Sequence, residues 1–244
     1  MLDTRKDIIS RLQKDILLWQ GFTPPPSGKP KDLGLGPIEA AFPNGVFPTG
    51  NIHEMMCTTP EQAAATGGMM AGLIAILMRR GGTCIWISTS RKLFPPSLKA
   101  FNVEPDRIIF IDVAKEKDAL WAMEEALKCE GLAAVVAEIK EISFAQSRRL
   151  QLAVEGSKVT GFILRNDPRK PGINTCVARW QVNPLPSKIE DGLPGIGYPC
   201  WQIDLLRVRN GNPGRWELEW IDGCFVPVEK EEEPIYHLHE RKAG

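Results

Sequence analysis

The sequence has no excess of charge of either sign, with 30 Lys and Arg against 30 Asp and Glu. That removes a global basic field as a means of drawing in nucleic acid, so any such binding must come from a local patch. No window approaches the ~20 apolar residues of a membrane span, and the N-terminus opens on alternating charges. The expectation is a soluble, cytoplasmic protein without a membrane partner. CxxC pairs are missing as well. Cys57, Cys84, Cys129, Cys176, Cys200 and Cys224 are scattered, several in apolar runs, which predicts buried reduced thiols. His53, His237 and His239 lack metal-ligand spacing, so no metal site is expected. No Ser or Cys stands with a His in a nucleophile arrangement, which leaves hydrolase chemistry without support.

What is present is a chain of 244 residues, 43% hydrophobic, enough for one large domain with short appendages. Ile8, Leu12, Ile16 and Trp19 recur at helical spacing, so 1–20 reads as an N-terminal helical arm. Residues 21–40, with Pro24, Pro25, Pro26 and Pro30 among Gly, Ser and Lys, read as an extended linker. The core is expected over 41–225, followed by a charged flexible tail, 226–244. Within the core, strands are expected at 51–57, 83–89, 108–113, 132–137 and 160–164. Helices are expected at 61–80, 95–101, 117–129 and 143–155. Short apolar strands alternating with helices give the α/β class: a mostly parallel twisted sheet flanked by helices. After Arg165 the helical pattern stops, and strands at 175–182, 201–208 and 216–221 with Gly- and Pro-rich loops predict a C-terminal antiparallel extension. Trp180, Trp201, Trp216 and Trp220 gather there and are expected to be mostly core.

The order of these pieces resembles the RecA superfamily, and within it the ImuA family. Three stretches carry the resemblance. The first is Phe42-Pro-Asn-Gly-Val-Phe-Pro-Thr-Gly-Asn-Ile-His-Glu54, leading into the first strand. The second runs from Leu93 to Phe110 with its Val-Glu-Pro-Asp-Arg. The third joins Ala119 to Leu127, Arg149 to Glu155, Gly161-Phe-Ile-Leu-Arg165 and the Arg-Asn-Gly-Asn-Pro-Gly-Arg-Trp-Glu-Leu-Glu-Trp run up to Trp220. The resemblance implies a RecA-like core and makes the nucleotide-binding positions worth reading singly.

A phosphate loop needs G-x-x-x-x-G-K-[ST] between a strand and a helix, so that backbone N–H groups, a Lys and a hydroxyl meet the phosphates and Mg²⁺. Here the interval from Cys57 to Met70 has no Lys in any register. Placing Gly67 at the last loop glycine puts Gly68 and Met69 where Lys and Ser/Thr belong; placing Cys57 at the first puts Ala63 and Ala64 there. Each charge-assisted hydrogen bond lost to a phosphate is worth ~1.5–3 kcal/mol, so losing two weakens binding on the order of a hundredfold. Ile87-Ser-Thr-Ser-Arg91 offers no Glu at the water-activating position, Glu138 alone remains near the Mg²⁺-orienting position, and the polar sensor is replaced within 162–165. These degenerate Walker A and Walker B positions predict no cofactor, no catalytic residue and no enzyme activity.

Function is therefore expected on surfaces. Arg148, Arg149, Arg165, Arg169 and Lys170 flank loops matching those that face DNA in RecA-like proteins and are candidates for weak DNA contact. Arg207, Arg209 and Arg215 bracket the turn at 210–214 and are candidates for a partner or homo-oligomer interface. Reversing the charge of Arg207 and Arg209 is expected to leave the fold intact and disrupt partner capture. The family resemblance implies a non-catalytic accessory protein of error-prone translesion synthesis in the SOS response. Its implied partners are an inactive Y-family polymerase relative, an error-prone replicative-type polymerase and RecA, and it would be nucleoid-associated when engaged. The competing readings are a SulA-like inhibitor of cell division and a RecA-like DNA-dependent ATPase.

Overall fold

The computed structural model describes residues 33–228 except 80, 169–170 and 188–196, together with Arg11, Leu12 and Asp15. The rest of the arm, the linker up to residue 32 and the tail from 229 lie outside the described residues. So do the candidate DNA contacts Arg169 and Lys170.

The chain runs through β1 (Ile52–Cys57), α1 (Pro60–Met78), β2 (Thr83–Ser88), a 3-10 segment (Pro95–Phe101), β3 (Ile108–Asp112), α2 (Glu116–Leu127), β4 (Leu132–Glu138), α3 (Phe144–Ser157) and β5 (Thr160–Asn166). It then continues through β6 (Ala178–Leu185), β7 (Cys200–Val208), β8 (Gly214–Ile221) and β9 (Cys224–Pro227). One nine-stranded sheet results, ordered β3-β2-β4-β5-β1-β6-β7-β8-β9. Met55, Trp86, Val136 and Phe162 pack with α1 on one face, and Ile52, Ile87, Val135 and Ile163 pack with α2 and α3 on the other. Alternation along each strand thus builds two cores from one sheet.

Four features depart from the sequence reading. The antiparallel extension begins one strand later than expected, because β6 pairs parallel with β1 and the antiparallel pairs are β6–β7, β7–β8 and β8–β9. The connection from β5 to β6 therefore returns along the sheet with no helix among its described residues, and Asn174, Thr175 and Cys176 on it are buried. Secondly, part of the stretch read as linker is packed. Leu33, Leu35 and Ile38 are buried around a 3-10 turn (Gly36–Ala41), and the Glu39 carboxylate accepts from the amides of Leu33 and Leu35. Thirdly, α1 is long and apolar enough by length and composition to cross a membrane, at 19 residues and mean hydropathy 1.2. It is a central helix here, with Met69, Met70, Leu73 and Ile74 buried, and its hydropathy reflects a helix covered on most sides. Finally, Cys129 is exposed and Cys224 half-buried, while the other four thiols are buried as expected.

His53 shows how the core uses a polar ring. Its Nε2–H donates to Pro48 O at 3.0 Å and Nδ1 accepts from Trp180 Nε1 at 3.3 Å, a neutral tautomer assigned from its partners. Phe47 stacks on the ring at 4.6 Å and Phe162 at 5.2 Å. Burial lowers its pKa from 6.5 to about 4, against a smaller upward pull from the Pro48 carbonyl. The unfolded chain then binds more protons than the folded one below about pH 6.5, so stability falls as pH drops from there toward about 4. The loss is roughly 3 kcal/mol. His53→Gln is expected to flatten this limb, as read from urea denaturation at either end of the window.

Candidate functional site

The C-terminal ends of β1, β4 and β5 are where an open α/β sheet places its ligands. At the first of these, β1 passes into α1 through only two residues, Thr58 and Thr59. Thr59 caps the helix, its hydroxyl accepting from Gln62 N at 3.2 Å, and Pro60 supplies the fixed φ that suits a first helical position. Gln62 Oε1 accepts from Thr58 N at 2.8 Å and from the Thr58 hydroxyl at 2.9 Å, while its Nε2 donates to Asn183 at 2.8 Å. The Glu61 carboxyl stands in the same first turn, held below its usual pKa by its own amide and the Thr59 hydroxyl. Donors that a loop would aim at phosphate are thus met by side chains of the chain itself.

This geometry corrects the placement of Gly67 and Gly68. Both lie in the middle of α1, far from any loop. A Cβ on Gly68 would come within 2.9 Å of Trp201 and 3.3 Å of Phe101, and one on Gly72 within 2.9 Å of Trp220 and 3.0 Å of Phe225. These glycines admit large rings against a helix; only Gly67, with nothing within 4 Å, is open. Cys57 ends β1 as a buried thiol donating to the Thr66 hydroxyl at 3.2 Å, and burial raises its pKa.

Glu138 ends β4 and is buried on the α1 side of the sheet. Its Oε2 accepts from the amides of Thr89 and Ser90, each at 3.1 Å, and from the Ser90 hydroxyl at 2.8 Å. It therefore fixes the turn after β2, the region of the expected water-activating position. Between this turn, the 3-10 segment and the small-residue face of α1 lies a cavity of about 560 Å³, lined by Ala64, Gly67, Trp86, Phe101, Glu138 and Trp201 among others. No sequence signal had announced it.

Arg165 is not a surface residue. It is 1% exposed; Nη1 donates to Glu54 at 2.7 Å, Nη2 to Glu141 at 2.9 Å and Nε to Lys140 O at 2.8 Å. Glu54, wholly buried on β1, also accepts from Arg179 Nε at 2.6 Å. Desolvation raises the Glu54 pKa, and the polar hydrogens of Asn174, Arg165 and Arg179 together outweigh it, leaving the carboxyl below its ordinary value; Asn174 Nδ2 contributes through proximity without a complete hydrogen bond. A buried guanidinium held at this many points cannot swing out to a phosphate, so Arg165 is withdrawn as a DNA contact. Glu54 and Arg179 escaped sequence reading. Yet a Glu inside the apolar run Ile52-His-Glu-Met-Met-Cys57 was a signal that cationic partners had to exist.

Of the remaining candidate arginines described, all but Arg148 are also tied to the chain. Arg149 pairs with Glu124 across α2 and α3 at 2.6 Å, whereas Arg148 is exposed. Arg207 donates to Asn174 Oδ1 at 2.6 Å and Cys176 O at 3.1 Å, and Arg209 to Thr175 O at 2.7 Å. Both hold down the helix-free return from β5 to β6. Reversing their charge would leave those carbonyls without donors, so Arg207→Glu in particular is expected to destabilise the fold. Arg215 is exposed and pairs with Asp204.

No family model matches the chain. It is 33% identical over 199 residues to Protein ImuA of Caulobacter vibrioides, an alignment covering 77% of this chain and 82% of that protein, in each of two strains. Among solved structures, the RadB recombinase superposes with a TM-score of 0.57 at 16% identity, covering 81% of this chain and 99% of that one. A KaiC-like protein from the hyperthermophilic archaeon Pyrococcus horikoshii superposes with a TM-score of 0.54 at 12% identity, covering 84% and 100%. At such identities the structural likeness speaks for the fold, which is the RecA-like one expected.

Proposed function

This chain belongs to the ImuA family and has a RecA-like fold, and on that premise we propose that it is a non-catalytic accessory protein of error-prone translesion synthesis in the SOS response, working through protein contacts. The β1–α1 junction carries the reading. It has no Lys, its turn is two residues long, and its donors are met by Thr59, Gln62 and the Glu61 carboxylate. A triphosphate would have to displace these contacts and face a carboxylate in the same turn, at a cost in the range that abolishes micromolar affinity. Calorimetry with Mg²⁺-ATP is expected to give no micromolar binding and no turnover. Micromolar affinity together with turnover abolished by Glu138→Ala would overturn the proposal in favour of the RecA-like ATPase.

The proposed partners are an inactive Y-family polymerase relative, an error-prone replicative-type polymerase and RecA, met in the cytoplasm at the nucleoid, with self-association as a further mode. Affinity purification after DNA damage separates this reading from a SulA-like one, since the latter would bring down the division GTPase instead. Direct DNA contact is the weaker reading. Arg165 is buried and Arg149 is paired with Glu124, which leaves Arg148 as the exposed, unpaired candidate among the described residues.

A further inference from the structure

The cavity beside α1 has a chemical character of its own. Trp86, Phe94, Phe101 and Trp201 contribute aromatic surface, and of all its lining residues only Lys92 and Glu138 carry charge. Lys92 is exposed, and Phe94 stands 68% exposed. Glu138 is 7% exposed and has no ion-pair partner among the described residues. Its Oε2 is committed to Thr89 and Ser90, whereas its Oε1 makes no hydrogen bond there. A buried carboxylate without a counter-charge is unusual, because desolvated charges are normally paired.

We propose that this cavity binds an organic cation, an ammonium or guanidinium group on an apolar stem. The cationic head meets Glu138 Oε1 through a charge-assisted hydrogen bond, and aromatic faces attract the same charge through their quadrupoles. The stem replaces water along Ala64, Gly67 and Trp201. The volume, about 560 Å³, is that of a small-ligand site. A hard divalent metal is a poor match, since it seeks about six oxygen ligands and the wall offers one carboxylate. An anionic ligand is a worse one, because Glu138 repels it. The head group can arrive as a free amine or as an arginine side chain of another protein, and the proposal is independent of any role in translesion synthesis.

Two matched pairs of probes test it on the full-length chain by calorimetry or NMR titration. Phenethylamine is compared with 2-phenylethanol for the free amine, and N-acetylarginine amide with N-acetylcitrulline amide for the side chain. At least one cation is expected to bind tenfold or more tightly than its neutral counterpart, and the pair that shows it identifies the source. Glu138→Gln keeps an acceptor for Thr89 and Ser90 and is expected to erase that preference. Gly67→Leu fills the cavity from a position with free space around it and is expected to abolish binding of every probe without lowering Tm. Equal affinity within both pairs, or a preference that survives Glu138→Gln, overturns the assignment.

Discussion

Glu54→Gln is expected to lower the free energy of unfolding by roughly 3–5 kcal/mol, the cost of breaking a buried ion pair from one side. The substitution is nearly isosteric, so the loss comes from charge. Arg165 and Arg179 would keep their positive charges in a desolvated site and face an amide NH₂ where a carboxylate oxygen stood. Urea denaturation near neutral pH reads the effect as a fall in the midpoint at constant slope. The pH dependence gives a second check. The Glu54 carboxyl lies below its ordinary pKa in the fold, so its stabilisation is present above the unfolded Glu value of ~4.3 and is lost as pH falls through the folded value. The wild-type and Glu54→Gln stability curves should therefore converge in acid. A midpoint shift equivalent to less than ~1 kcal/mol would mean that the two arginines find other partners. Replacing Glu54, Arg165 and Arg179 together by apolar residues should cost less than Glu54→Gln alone, because an emptied network is cheaper to bury than one that has lost only its carboxylate.

The second large effect belongs to α1. Gly72→Leu should destabilise by roughly 1–3 kcal/mol or more, since even a Cβ there would press on Trp220 and Phe225 at 2.9 and 3.0 Å, and the rings behind it are themselves buried. Gly67→Leu, five residues earlier on the same helix, should instead gain up to ~1 kcal/mol by removing backbone freedom from the unfolded chain. Opposite signs in thermal melts of two like substitutions would establish that Gly72 is there for ring packing and Gly67 is not. A loss of stability from Gly67→Leu matching that from Gly72→Leu would count against it.

The difference between what was legible in the sequence and what was not follows the range of the interactions involved. Helix and strand periodicity is local, and it located α1, α2, α3 and most of the strands. Cap chemistry is local too: Thr59 with Gln62 three residues on marks a helix start at Pro60, and that signal should have outweighed the search for loop glycines at Gly67 and Gly68. The parallel pairing of β6 depends on what lies on the far side of β1, which no local pattern contains. Arg165 reads as a surface base because it ends a strand at a loop expected to face DNA, with Asn166 and Asp167 after it; its principal partner, Glu54, is 111 residues away in sequence. The short strand β9 was missed because Cys224–Pro227 offers too few residues to show alternation. The cavity was invisible for the same reason as the network, being assembled from α1, the ends of three strands and β7.

The position of β1 also sets an order of events for the nascent chain. It is the first strand of this sheet to be made and sits between β5 and β6, whose bonds to Glu54 span 111 and 125 residues. Until those later strands leave the ribosome, both edges of β1 lack their permanent neighbours, and closing such long loops slows folding. Synthesis at roughly 5–20 residues per second leaves the edges of β1 waiting for about 5–25 seconds, an interval in which unpaired strand edges are open to wrong pairing.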